Sequence, residues 1–278
     1  MTKPSISSVR FQTAPGVRRA LLRVASASAK RLHASGPPSM WELFVAARSM
    51  ASTGPLVLPP TATRALVLAP HPDDETIGCG GTAALLAGSG CSVDVVVVSD
   101  GEGSTSSGGD AARTAARRRK EALRACIHLG TRPPRFLGLV DGGVGDAIDD
   151  LADRLCSILR ELRPELVFLP WPLDGHPDHQ AVGRAFAAAK PDPAIDVWCY
   201  EVWTALLPNR IVDVTQTWPA KQSAIEEHRG PDDAFDLQSH LHLARWRSIF
   251  GLDGHGWAEA FLVLTPAEHA RALEGPRG

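Results

Sequence analysis

ALVLAPHPDDETIGCGG, residues 65–81, decides how the rest of the chain is read. The β-formers Ala65 to Ala69 run into Pro70-His71-Pro72, two acids and a glycine-rich stretch, which predicts a strand, a loop and the start of a helix. If the helix starts near His71, Pro72 takes a first-turn position where its missing N–H costs nothing. Asp73, Asp74 and Glu75 then sit at the positive end of the helix dipole and stay ionised. His71 and Asp74, three apart, face one point, while Asp73 is directed elsewhere. One imidazole and one carboxylate converging is half of a metal site. An acidic cap after a buried strand would explain one Asp, but not His-Pro-Asp-Asp-Glu together.

Residues 166–183, LVFLPWPLDGHPDHQAVG, repeat the arrangement: an apolar strand, a turn, then His176-Pro177-Asp178-His179 opening a helical pattern. If both strands lie in one parallel sheet, both His-Pro-Asp triplets meet at its carboxyl edge, where open α/β sheets bind ligands. Between and beyond them strands and helices alternate. Strands are expected at 93–99, 135–139, 195–202 and 210–214, and helices at 78–88, 110–129, 147–162 and around Lys221. The fold class is therefore α/β, a Rossmann-like three-layer sandwich with a mostly parallel sheet, plus an N-terminal helical arm.

With PHPDDE at 70–75 and HPDH at 176–179, in this order and context, the sequence resembles the PIG-L/LmbE-like family of metal-dependent N-acetylglucosaminyl deacetylases over roughly residues 62–265. Supporting matches are the Gly-Glu at 101–102, the Arg118-x-x-Glu121 pattern ending in Leu129-Gly130, Asp141-Gly142, Tyr200-Glu201, Lys221 and Trp257 to Phe261. The resemblance implies a zinc ion, or Fe(2+) or another divalent metal, held by His71, Asp74 and His179. Asp73 is the implied general base. His176 is the implied acid, its pKa raised and its ring oriented by Asp178, with Asp174 the second candidate for that role. Glu102, Arg118, Asp141, Asp174 and Glu201 are expected at the substrate. Position 174 is Asp where some sugar-deacetylating relatives carry a tyrosine, so that oxyanion contact is missing. Structural readings stand beside these: Arg118 and Glu121 can pair with each other, and Glu201 and Glu259 can be ion-pair partners. The implied substrate is an N-acetylglucosamine-type amino sugar in a small soluble conjugate, such as a thiol precursor or an antibiotic pseudodisaccharide. The competing readings are an amidase acting on a larger amide and a non-catalytic sugar- or nucleotide-binding module. Against the module, Gly78-Cys79-Gly80-Gly81 is followed by Ala83, so the dinucleotide fingerprint is not met.

Composition agrees. A formal charge of −2 over 278 residues gives no global basic surface for nucleic acid. The cysteines at 79, 91, 126, 156 and 199 form no CxxC and read as reduced thiols in a cytoplasmic protein. No apolar stretch approaches the ~20 residues of a membrane span. Residues 1–62 read as a basic, helical extension and linker, and 63–278 as the catalytic domain. We expect the extension to be an arm that packs on the domain or on another subunit of a homo-oligomer, in preference to a removed leader.

Overall fold

The computed structural model describes residues 56–104, 110–228 and 238–274, all within one compact unit, Met50–Gly275. The expected N-terminal helical arm lies outside these residues.

The strands are β1 (Leu56–Val57), β2 (Arg64–Ala69), β3 (Ser92–Ser99), β4 (Arg135–Leu139), β5 (Leu166–Pro170), β6 (Asp196–Tyr200), β7 (Arg210–Asp213) and β8 (Ala258–Leu264). They form one sheet in the order β1-β7-β8-β6-β5-β2-β3-β4, parallel throughout except that β8 runs antiparallel to β6 and β7. The end of the expected extension and linker, residues 1–62, thus contributes a strand, pairing Leu56 with Arg210 and Val57 with Ile211. The helices are α1 (Asp74–Gly88), α2 (Ala111–Leu129), α3 (Ile148–Leu162), α4 (Pro177–Ala188), α5 (Trp218–Glu227), α6 (Gln238–Arg247), the short α7 (Ile249–Leu252) and α8 (Pro266–Leu273).

The central strands are apolar without a break because helices cover both faces. Along β2, Ala65, Val67 and Ala69 pack with Ile77, Leu86, Cys126 and Ile225, whereas Leu66 and Leu68 pack with Leu151, Leu155, Val182 and Phe186 on the other face. Topology then places the loops. The chain leaves β2 for β3 and β4 on one side, then returns to lay β5 on the other side of β2. Strand order reverses between β2 and β5, and the crevice above their carboxyl ends receives both His-Pro-Asp loops.

α1 begins at Asp74, four residues earlier than expected from the glycines, and it is broken at Cys79 (φ −142°, ψ 15°). Gly78 and Gly81 allow it to lie close. A Cβ on Gly78 would sit 2.2 Å from the Tyr200 ring, and one on Gly81 would sit 2.7 Å from Val214. The break exposes a carbonyl on one side and amides on the other, and a buried ion pair satisfies both. Lys221 Nζ donates to the Ile77 carbonyl at 2.7 Å and to Glu259 Oε1 at 2.6 Å. Glu259 accepts the Gly81 and Thr82 N–H groups at 2.8 Å each and the Thr82 hydroxyl at 2.6 Å. Glu259 and Lys221 are therefore structural.

Removing one charge strands the other. Lys221→Met is expected to destabilise the domain by ~3–5 kcal/mol, lowering the melting temperature on the order of 10 °C. The double variant Lys221→Met, Glu259→Gln should recover part of that loss in the same thermal scan, because no unpaired carboxylate remains.

Candidate active site

The loop after β2 carries a backbone that an L-residue rarely adopts: Asp73 precedes α1 with φ 140°. Such a conformation costs about 1–3 kcal/mol and persists only where its surroundings hold it. Here the Asp73 N–H donates to Glu75 Oε2 at 3.1 Å, and Arg118 Nη2 donates to Asp73 Oδ2 at 2.7 Å and to the Pro72 carbonyl at 2.8 Å. Pro72 lies outside the helix, not in its first turn as the sequence suggested. The twist separates the two neighbouring acids. Asp73 turns toward Arg118, and Asp74 turns back to accept the His71 N–H at 2.8 Å.

Asp74 is the meeting point of the two loops. Its Oδ2 lies 3.1 Å from His71 Nδ1 and 3.2 Å from His179 Nε2. His176 completes a cluster in which nitrogens of His71, His176 and His179 lie within 4.8 Å of one another, and a second such group joins His71, Asp141 and Asp178. Around these imidazoles stand four carboxylates, with Asp74, Asp174 and Asp178 buried and Asp141 largely so. His71 Nε2 lies 3.1 Å from Asp178 Oδ2 and 3.2 Å from Asp141 Oδ1, and His179 Nδ1 lies 3.2 Å from Asp174 Oδ1.

Such a surplus of buried negative charge calls for a cation. Burial alone would pull the His71 and His179 pKa values down. The hydrogen bonds of His71 to Asp141, Asp178 and Asp74 outweigh burial and push it well above the ordinary value, and Asp74 with Asp174 raises His179 to about 9. Burial raises Asp74, but His179 and His71 outweigh it and hold that carboxyl well below its ordinary value. The protein alone can supply the missing charge only as buried imidazolium. His179 is fully buried, and neither of its ring nitrogens makes a hydrogen bond of acceptable geometry despite the carboxylates 3.2 Å away. Neutral imidazoles facing a divalent ion satisfy both facts. Two imidazoles and one carboxylate, with the remaining acids behind them, form a donor set that fits such an ion.

Several expected roles change. Asp178 does not orient His176 through its carboxylate, which accepts the Gly142 N–H (2.8 Å) and the Val144 N–H (3.3 Å) and faces His71. Only the backbone N–H of Asp178 reaches His176, donating to Nδ1 at 3.2 Å. The His176 pKa is lowered, not raised, by burial first and then by His71 and His179. Asp174 has no exposed surface for a substrate, and its oxygens hold His179, the His176 N–H and the Trp203 N–H. Glu201 is buried, and both its oxygens are engaged by Arg247 while it also accepts the Leu206 N–H at 2.8 Å. Arg118 braces Asp73, and Glu121 pairs with Arg117 at 2.8 Å instead of with Arg118.

Glu102 and Asp141 stay at the opening. Glu102 Oε1 accepts the Asp141 N–H at 2.9 Å, and its Oε2 is buried with no hydrogen-bond partner among the described residues. Burial raises the Asp73 pKa, Arg118 lowers it and Asp74 raises it again, to about 6. The side chain keeps 23% of its surface open, so solvent tempers that rise. Sequence reading gave Glu75 no role beyond the helix N-terminus and passed over His228. Glu75, buried, holds the Asp73 amide, and His228 Nε2 lies 3.5 Å from its Oε1. Glu75 was visible as the last letter of PHPDDE. His228, 153 residues further on, had no local signal.

A doubly covered α/β sheet with histidines and aspartates converging at its switch point defines a metal-site protein of the open-sheet class. Residues 66–190 match the family described as PIG-L, GlcNAc-PI de-N-acetylase, and this chain belongs to it. A diacetylchitobiose deacetylase of Thermococcus kodakarensis is 28% identical over 236 residues, covering 74% of this chain and 87% of that protein. A probable N-acetyl-alpha-D-glucosaminyl L-malate deacetylase 2 of Bacillus cereus is 30% identical over 193 residues, covering 64% and 88%. The N,N'-diacetylchitobiose deacetylase structure from Pyrococcus horikoshii shares the fold with a TM-score of 0.63 at 23% identity, covering 94% of this chain and 96% of that one.

If the cluster holds a divalent ion through His71, Asp74 and His179, His179→Ala is expected to reduce bound metal from about one ion per chain to near zero while circular dichroism stays that of the folded protein. Metal analysis after gel filtration reads the outcome.

Proposed function

We propose that the protein is a metal-dependent hydrolase that removes the N-acetyl group from an N-acetylglucosamine-type amino sugar carried in a small conjugate. His71, Asp74 and His179 would hold the divalent ion, for which zinc suits the donor set of two imidazoles and a carboxylate. The observation that carries the reading is the juxtaposition of Asp73 with this triad: a strained, braced carboxylate beside a buried cluster that requires a cation. The relatives named as deacetylases of chitobiose and of a glucosaminyl malate support the substrate class.

Amide hydrolysis needs an activated water, a stabilised oxyanion and a proton for the departing amine. A divalent ion bound here would lower the pKa of water and polarise the carbonyl. Asp73, pushed up to about 6, is matched to accept the water's proton near neutral pH. Arg118 fixes the direction in which that carboxylate points. His176 stands on the other loop with its Nδ1 occupied by the Asp178 N–H, which leaves Nε2 to carry a proton to the amine. The Asp178 and Asp141 carboxylates face His71: they hold its Nε2 side and so orient its Nδ1 toward Asp74. Glu102, half-buried beside Asp141, would line the sugar side of the site. The five cysteines are free, four of them buried, which suits a reducing cytoplasm. Among the described residues no helix is long and apolar enough to cross a membrane.

Acetate release from a panel of N-acetylglucosaminides, with and without chelator, tests the reading; failure of the whole panel would overturn it. Asp73→Asn should keep the metal and the fold while losing about 10²–10⁴-fold in kcat, and turnover near wild type would remove Asp73 from its role. The pH profile follows from the sign of the Asp73 shift. The base works deprotonated, so kcat/KM should fall on the acid side as Asp73 takes up a proton, below about 6 because a divalent ion on neighbouring Asp74 would favour the carboxylate. Arg118→Leu removes the interaction that lowers the Asp73 pKa, so this acid limb should move to higher pH by about one unit.

A further inference from the structure

Both ends of α5 are tied to α1. At its start Lys221 grips the break at Cys79 through the Ile77 carbonyl and Glu259. At its end His228 follows the last turn and meets the first turn of α1, and this second tie leads to Asp73. His228 Nε2 lies 3.3 Å from the Thr76 hydroxyl and 3.5 Å from Glu75 Oε1. The Thr76 hydroxyl donates its one proton to Glu75 Oε1 at 3.1 Å, which leaves its oxygen to accept from His228. The other oxygen of Glu75 accepts the Asp73 N–H at 3.1 Å.

His228, Thr76 and Glu75 are all buried. His228 Nδ1 has no hydrogen-bond partner among the described residues, so the polar attachment of the ring lies on the Thr76 and Glu75 side. Burial lowers the His228 pKa, but the hydrogen bond to Glu75 and the charges of Glu75 and Asp73 outweigh burial and Arg118 together. The pKa is raised, and Nε2 keeps its proton and faces Glu75 as a donor. What this chain of contacts holds is backbone. The Asp73 carbonyl has ordinary helical partners, the Thr76 and Ile77 N–H groups at 2.9 Å each. Its N–H donates to a side chain instead, and a carboxylate free to rotate would hold it poorly. Arg118 fixes the carboxylate of Asp73 and not its amide.

We propose that His228 is a positioning residue for the base: through Thr76 it fixes the Glu75 carboxylate, Glu75 fixes the Asp73 amide, and the Asp73 carboxylate is thereby aimed at the site. This rests on the reading of Asp73 as the general base of a deacetylase, while its backbone part is measurable without turnover.

Three variants of the metal-loaded protein test it. His228→Ala removes the end of the chain of contacts, Thr76→Val removes its middle at nearly constant size, and His228→Gln places an amide N–H near where Nε2 stood. The first readout is hydrogen exchange of the Asp73 amide. Exchange should speed up about tenfold in His228→Ala and in Thr76→Val, the worth of one buried hydrogen bond, and return toward the wild-type rate in His228→Gln, with the β2 amides unchanged throughout. The second is acetate release: kcat should fall about tenfold in the first two variants and recover in the third, with KM and bound metal unchanged. A histidine that only packs would lower the melting temperature in His228→Ala and leave both readouts unmoved in Thr76→Val. That result, or a His228→Gln variant no better than His228→Ala, would overturn the proposal. If His228→Ala does not fold, Thr76→Val and His228→Gln decide by the same two readouts. Failure of the wild type to release acetate from any substrate would strike the deacetylase reading, and the exchange rates would still decide whether His228 holds the Asp73 backbone.

Discussion

Four carboxylates share a space between two strands with three imidazoles, three of those acids are closed off from water, and the rest of the site is arranged around the positive charge this demands. In a medium of low dielectric an unbalanced group of this kind either protonates or binds a cation. The carboxylates pull protons onto His71 and His179, so the requirement is a property of the protein itself. Asp74 sits between the two loops, and Asp178, Asp141 and Asp174 stand on the outer sides of the histidines. Hydrogen-bonding carboxylates on their outer sides fix the orientation of both rings.

That geometry depends on how α1 approaches the sheet. The helix supplies Asp74, and its first segment must lie against Tyr200 closely enough that only glycine fits at position 78. The break at Cys79 lets the second segment follow a different line, and the Lys221–Glu259 pair seals the gap with hydrogen bonds to both sides. Arg118 on α2 then locks the strained Asp73 from outside while Glu75 locks its amide from below. Asp73 is therefore held in place by groups from two helices.

Much of this was legible in the residues. The continuous valines of β3 and the apolar run of β5 could belong only to a sheet covered on both faces, and two His-Pro-Asp triplets after such strands placed the site at the carboxyl edge. What could not be read was the direction of each acidic side chain. In HPDH the spacing puts Asp178 next to His176, yet the helical turn carries its carboxylate to the amides of Gly142 and Val144 and to His71. Glu201 matched a motif by position, but its charge is consumed by Arg247, 46 residues away, a pairing invisible to any local pattern. Asp73 appeared as a first-turn helix residue because Pro72 favours that register. The positive φ arises from tertiary contacts to Arg118 and Glu75, which override the local preference.

X-ray absorption at the zinc edge of the zinc-loaded protein reads the ligand shell directly. The structure predicts scattering from two imidazole rings, with nitrogen and oxygen donors at about 2.0–2.2 Å. A shell of oxygen alone, or one with sulfur or with a single imidazole, would contradict it.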